Sequence, residues 1–162
     1  MNYDKYFFTK IPKEYYYDFV SVGPNGNVPK RVRFSLMGDA DVWIYSLSFG
    51  DVDKRSGSID DTVKTNNADH QKVLTTVAAA LQDFLNAYPR VYVVATGSTP
   101  SRNRLYQMGI LSILEEINDR FIVFGRCAGQ WEQFRKGVNY DAFMAKRKFD
   151  PYMPIYNNNS YL

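Results

Sequence analysis

In 162 residues the chain has one cysteine, Cys127, and one histidine, His70. A single thiol excludes an internal disulfide and a thiol-rich zinc site. A single imidazole leaves nothing from which to build a histidine triad or a histidine zinc centre. Cys127 carries no recognisable local signature and reads as a structural or incidental thiol. Long apolar runs are missing too, since none approaches the ~20 residues that a membrane helix requires. The opening stretch MNYDKYFFTKIPKEYYYDF sets charges on both sides of a short aromatic cluster and offers no small-residue cleavage site. A signal peptide is therefore not expected, and a reducing cytoplasm is the expected compartment. Repeats, low-complexity tracts and Pro/Gly/Ser linkers are also lacking. One domain over residues 1–150 is expected, with a loosely ordered tail over 151–162.

What the chain has in quantity is aromatic side chains and unevenly placed charge. Aromatics make up 16% of residues, including 13 tyrosines. Tyrosine stacks on nucleic-acid bases and also suits half-buried strands. The net charge is only +3, yet Arg120 to Lys148 holds seven bases against two acids, and Asp51 to Asp69 holds five aspartates against three bases. A basic end attracts polyanions, and a solvated charged face has the same composition.

Periodicity predicts an α+β fold. Residues 15–22, YYYDFVSV, stop at Gly-Pro-Asn-Gly, a strong turn signal. Over 28–36, Val32, Phe34 and Leu36 alternate with Arg31, Arg33 and Ser35, and over 42–49 Trp43, Tyr45, Leu47 and Phe49 alternate with smaller residues. Three strands with short turns make an antiparallel meander. Asp69 is the expected N-cap of a helix whose Val73, Val77, Leu81, Phe84 and Leu85 fall on one stripe. VYVVA, residues 91–95, is a continuously apolar strand of the kind buried on both faces. Thr99 followed by Pro100 starts a second helix that runs to about Asn118, and Gly109 within it implies a close approach to the sheet. FIVFG, residues 121–125, is the next strand, and 140–148 predicts a last one. The unit from Arg90 to Arg126 is expected to be a right-handed parallel crossover.

One stretch carries a candidate site, VVATGSTPSRNRLYQMGI at 93–110. Helix N-termini expose unpaired N–H groups and carry about half a positive charge, so they attract anions. Gly97 lets a ligand approach the backbone, Ser98 and Thr99 add hydroxyls, and Arg102, Arg104 and Tyr106 follow. Successive helical residues turn by ~100°, so Arg102 and Arg104 diverge by about 200° and one is expected to be engaged elsewhere. The other reading of these residues is a capped turn with solvated arginines. No Walker loop or dinucleotide pattern is present.

Arg31 and Arg33, on one strand face beside aromatic strands, form a second candidate, a basic platform for single-stranded nucleic acid. The other reading is a solvent-facing strand side with ordinary charges, the commoner meaning of such a face. Lys146-Arg147-Lys148 has the same standing. Asp51, Asp53, Asp60 and Asp61 offer oxygen ligands for a divalent ion, but Lys54 and Arg55 sit among them and loop aspartates commonly serve turns. No metal ligand, cofactor or catalytic set is assigned.

The segments Gly97–Tyr106, Tyr15–Phe19, Phe49–Asp51 and Tyr140–Phe143 with Lys146–Lys148 resemble the motifs of a family of short bacterial proteins of unknown function. The resemblance implies one complete domain and brings no activity with it. The element order also resembles the ribonuclease H-like fold, which implies carboxylates on the first strand, first helix and fourth strand. Asp18 and Asp83 match the first two places, and Ala95-Thr96 leaves the third without an acid, which argues against a nuclease. The expected function is a non-catalytic cytoplasmic module that binds an anionic partner, nucleic acid or another phosphate-bearing ligand, without a membrane. The alternatives are a metal-dependent enzyme acting on a phosphorylated or nucleotide substrate, and a protein-interaction role in a small operon.

Overall fold

The computed structural model describes residues 4–37, 43–60 and 66–148, with only the backbone of Glu116. The tail expected over 151–162 lies outside the described residues. Among those described are nine strands and two α-helices: β1 (Thr9–Ile11), β2 (Tyr16–Gly23), β3 (Gly26–Met37), β4 (Ile44–Val52), β5 (Ile59–Asp60), α1 (His70–Ala87), β6 (Tyr92–Ala95), α2 (Pro100–Ile117), β7 (Phe121–Cys127), β8 (Gln130–Gln133) and β9 (Ala142–Arg147). The strands form one sheet in the order β1-β2-β3-β4-β6-β9-β7-β8, with β5 beside β4.

The meander expected from the sequence is β2-β3-β4. Pro24-Asn25 closes the first hairpin between Gly23 and Gly26, and Gly26 adopts φ +86°, which a side chain disfavours. From β4 the chain passes through α1 into β6, which pairs with β4 in parallel. β6 and β7 each run antiparallel to β9, so they are parallel to each other with β9 between them. The strands flanking α2 are thus parallel, as expected, but with β9 inserted between them. That insertion departs from the ribonuclease H-like expectation, because the strands flanking α2 are no longer neighbours. The physical reason lies in β9 itself: Ala142, Phe143 and Ala145 are buried, and such a strand gains more inside the sheet than at its edge.

Both helices pack on one face. Tyr17, Val32, Phe34, Tyr45, Leu47, Phe49, Val93, Val123 and Phe143 point towards them and form the core. Phe84 of α1 stacks on Phe34 at 4.0 Å between centroids, and Tyr45 meets Phe84 edge-on at 5.2 Å. Gly109 serves an approach between helices and not, as expected, to the sheet: a Cβ there would lie 3.1 Å from Leu74 Cδ1 of α1. Asp69 precedes α1 as expected but its side chain does not cap it. Its carboxylate instead accepts from the Tyr6 hydroxyl at 2.7 Å and from Ser21 Oγ, which ties the N-terminal segment and β2 to the helix start.

The opposite face carries Tyr16, Asp18, Arg31, Arg33, Ser46, Ser48, Tyr92, Val94, Lys146, Ile122, Phe124 and Arg126, the alternate residues of the same strands. No described element packs over it. The apolar run VYVVA is accordingly not buried on both faces: Val93 is buried, while Tyr92 and Val94 are half-buried on the open side.

Candidate functional site

At the strand–helix junction the chain satisfies much of its own polarity. Thr99 caps α2, its Oγ1 accepting from the Arg102 N–H at 3.2 Å, and Pro100 occupies the first turn. The Gly97 N–H donates to Asn103 Oδ1 at 2.6 Å, and the Asn103 N–H donates to the Thr99 carbonyl at 3.1 Å. Gly97 is packed on the helix, since a Cβ there would fall 2.6 Å from Arg102 Cβ and 2.7 Å from the Asn103 nitrogen. The glycine therefore accommodates the protein's own first turn. Asn103 is the residue that sequence reasoning missed at this place, because an asparagine six residues beyond a glycine has no recognised local signature.

The two junction arginines diverge as their spacing requires. Arg102 is half-buried, donates from Nη1 to the Phe49 carbonyl at 3.3 Å and holds its guanidinium 5.9 Å from the Phe49 ring centre. Arg104 is exposed, as are Ser98 and Thr99, whereas Tyr106 is half-buried against the core. Contact between Arg102 and Phe49 joins the Gly97–Tyr106 and Phe49–Asp51 segments, which are remote in sequence.

Arg31 and Arg33 lie on the other side of the sheet from Arg102, so the two sequence candidates do not merge. Arg31 is locked: Nε and Nη2 grip Asp18 at 2.7 and 2.9 Å, Nη1 donates to the Gly57 carbonyl at 3.0 Å, and the guanidinium lies 4.3 Å from the Tyr16 ring centre. The hydrogen bonds to Asp18 hold its pKa above the usual arginine value. Arg33 is exposed, with its guanidinium 5.7 Å from the same ring. Their neighbour Lys30 points the opposite way, buried in an ion pair with Asp51.

Further along the open face two cation–aromatic pairs recur. The Lys146 ammonium sits 5.1 Å from the Tyr92 ring centre, and the Arg126 guanidinium 5.8 Å from that of Trp131, which is 41% exposed. Arg126 also pairs with Asp141 at 2.8 Å. Val94, Met144, Ile122 and Phe124 lie between, half-buried. Tyr16 on β2 and Trp131 on β8 are six strand spacings apart, about 29 Å at ~4.8 Å each. Of the cations on this surface only Arg31, Arg33 and the Lys146 tract were singled out as candidates by sequence; Arg126 with Trp131 and Tyr92 with Lys146 become pairs only through the register of the sheet.

The carboxylates are spent separately. Asp83 accepts from the Tyr17 hydroxyl at 2.7 Å and pairs with Lys10 at 2.8 Å. Asp18 and Asp83 lie on opposite faces and do not converge. Asp53 accepts the backbone N–H groups of Arg55 and Ser56 at 2.7 and 3.0 Å, which holds its pKa below the usual carboxylate value. Asp51 and Asp60 face each other across β4 and β5, and Asp61 lies outside the described residues. Among the described residues no group of three or more histidines, cysteines, aspartates or glutamates is placed to hold a metal ion, and no helix is long and apolar enough to cross a membrane.

The model of a family of unknown function, DUF6934, matches residues 2–148, and the chain belongs to that family. This agrees with the resemblance noted in the sequence at the level of a domain of unknown function. No curated protein and no solved structure matches the chain.

Proposed function

We propose that this member of the DUF6934 family is a non-catalytic cytoplasmic module that binds single-stranded nucleic acid on the open face of its sheet. The observation that supports this reading is the set of cation–aromatic pairs on that face: Arg31 and Arg33 with Tyr16, Lys146 with Tyr92, and Arg126 with Trp131. Bases stack on aromatic rings whatever their sequence, and cations beside those rings meet the phosphates. A face of strands over which no described helix packs offers the breadth that several nucleotides need, and among its described residues are Arg33 and Lys146, with Arg31 and Arg126 paired to Asp18 and Asp141. The junction at Gly97–Arg104 is a weaker phosphate site in this reading, because the Gly97 and Arg102 amides already have partners. Arg104, Ser98 and Thr99 are exposed there and supply its remaining contacts.

The test is fluorescence anisotropy with a labelled single-stranded oligonucleotide, compared with the same sequence as duplex. With three phosphates neutralised the salt slope is about −2, so affinity falls roughly 20-fold between about 50 and 200 mM salt. Binding preferential for the single strand and weakened by salt is the expected result. Absence of binding at low salt, or binding indifferent to salt, overturns the reading.

A further inference from the structure

Between α1, α2 and the strands β4, β6, β9 and β7 lies an apolar cavity of about 100 Å³. Val77 and Leu81 of α1, Ile110 and Ile113 of α2, and Val93 and Phe143 of the sheet supply its walls. We infer that it is a binding cavity for a small uncharged ligand of single-ring or short branched aliphatic size.

Three observations lead there. First, the walls are almost wholly carbon, and no described side chain offers a buried polar atom without a hydrogen-bond partner. An ion or a strongly polar molecule entering this space would be desolvated with nothing to replace its water. Water itself needs two to four polar partners and is poorly held in such a place, whereas an apolar cavity of about 150 Å³ in another protein stays dry and admits benzene. Second, the void persists at sites occupied by small residues. Ala78, Ala95 and Ala145 line it, and a leucine or valine at these positions would fill it, as close-packed interiors ordinarily are filled. Third, the cavity is not sealed on its helix side, where the lining residues Ala78, Leu81, Gln82, Tyr106 and Ile110 are only half-buried. Leu74 and Gly109, where the two helices approach each other, line it as well. A ligand thus meets a partly open chamber with no need to unfold the core. This inference does not depend on nucleic-acid binding, which concerns the opposite face of the sheet.

The experiment is thermal melting of the full chain with toluene or indole. At roughly five times the dissociation constant, either probe raises Tm by about 2–4 °C in a saturable manner. Ala78→Leu and Ala95→Val, which occupy the space, abolish that rise while melting at or above the wild-type temperature. No rise with either probe at its solubility limit overturns the inference, as does a rise undiminished in both filled variants. Should neither variant fold, NMR contacts from the toluene methyl group to Val77 and Ile113 in the wild-type chain decide it: present, the cavity is the site; absent, the inference fails.

Discussion

Tyr17 and Tyr16 are neighbours on β2 with opposite surroundings. Tyr17 is 1% exposed on the helix-covered face, where its hydroxyl reaches Asp83 of α1. Tyr16 lies on the open face beneath the guanidiniums of Arg31 and Arg33. The same division runs through β3, where Val32 and Phe34 are fully buried while Arg33 is exposed. A strand period of two writes two surfaces into one stretch of chain, one selected for packing and the other available for contact. Substitutions on the covered face should therefore act on stability, and substitutions on the open face on binding.

The largest effect belongs to Phe84, which stacks on Phe34 and closes the aromatic cluster with Tyr45 and Tyr88. Phe84→Ala costs about 3–5 kcal/mol by analogy with other buried aromatic deletions. Urea denaturation measures it, and a loss under 1 kcal/mol would mean that the covered face is not the core.

Gly97→Ala tests the junction by a clash with the helix's own first turn, 2.6 Å from Arg102 Cβ. Overpacking of this kind costs about 1–3 kcal/mol. An open anion cradle would tolerate the extra methyl, so a neutral outcome in the same denaturation assay would restore the junction as a leading site.

Tyr17 and Asp83 give the covered face a pH signature. Burial first, and then the hydrogen bond to Asp83, push the Tyr17 hydroxyl far above the usual tyrosine value. Burial acts upward on Asp83 as well, but hydrogen bonds from Lys10 and Tyr17 outweigh it and hold its pKa below the usual carboxylate value. The signs follow from linkage. Tyr17 contributes fully below its unfolded value near pH 10, and that contribution is lost as pH rises above it. Asp83 contributes fully above its unfolded value near pH 4, and that contribution is lost as pH falls through the lower folded value. Tyr17→Phe removes the hydrogen bond at a cost of about 1–2 kcal/mol and flattens the alkaline limb of a stability profile. An unchanged alkaline limb would show that the hydroxyl is not protected in the fold.

Legibility in the sequence follows the same division between near and far. The meander could be read because alternation in Val32, Phe34 and Leu36 is a local property, and α2 could be placed because Thr99-Pro100 caps within three residues. β9 between β6 and β7 could not, since strand order is settled by pairing across the whole chain. β8 could not either: QWEQ is short and polar and carries no alternation of its own. In VYVVA and FIVFG the apolar run conceals an open side, because Tyr92, Ile122 and Phe124 look like core residues until the helices are found on one face only. The consequence for the site is direct. Arg31, Arg33 and Lys146 were visible as basic strand residues, but the aromatic residues that the sheet register sets beside Lys146 and Arg126 were not.

On the open face the expected stability effect is small, and that is what makes it informative. Arg33→Ala removes an exposed group and changes stability by less than about 0.5 kcal/mol, while Trp131→Ala, which removes a ring partly packed on the sheet, costs about 1 kcal/mol. Their effects on oligonucleotide binding should differ in kind. Losing Arg33 removes one phosphate contact, which weakens binding to every sequence and makes the salt slope shallower by about 0.7. Losing Trp131 removes a stacking partner worth about 1–3 kcal/mol and leaves the salt slope as it was. Anisotropy titrations at several salt concentrations separate the two outcomes. If both variants bind as the wild type does, the open face is only a solvated surface. If Arg104→Ala alone weakens binding, the contact surface lies instead at the exposed start of α2.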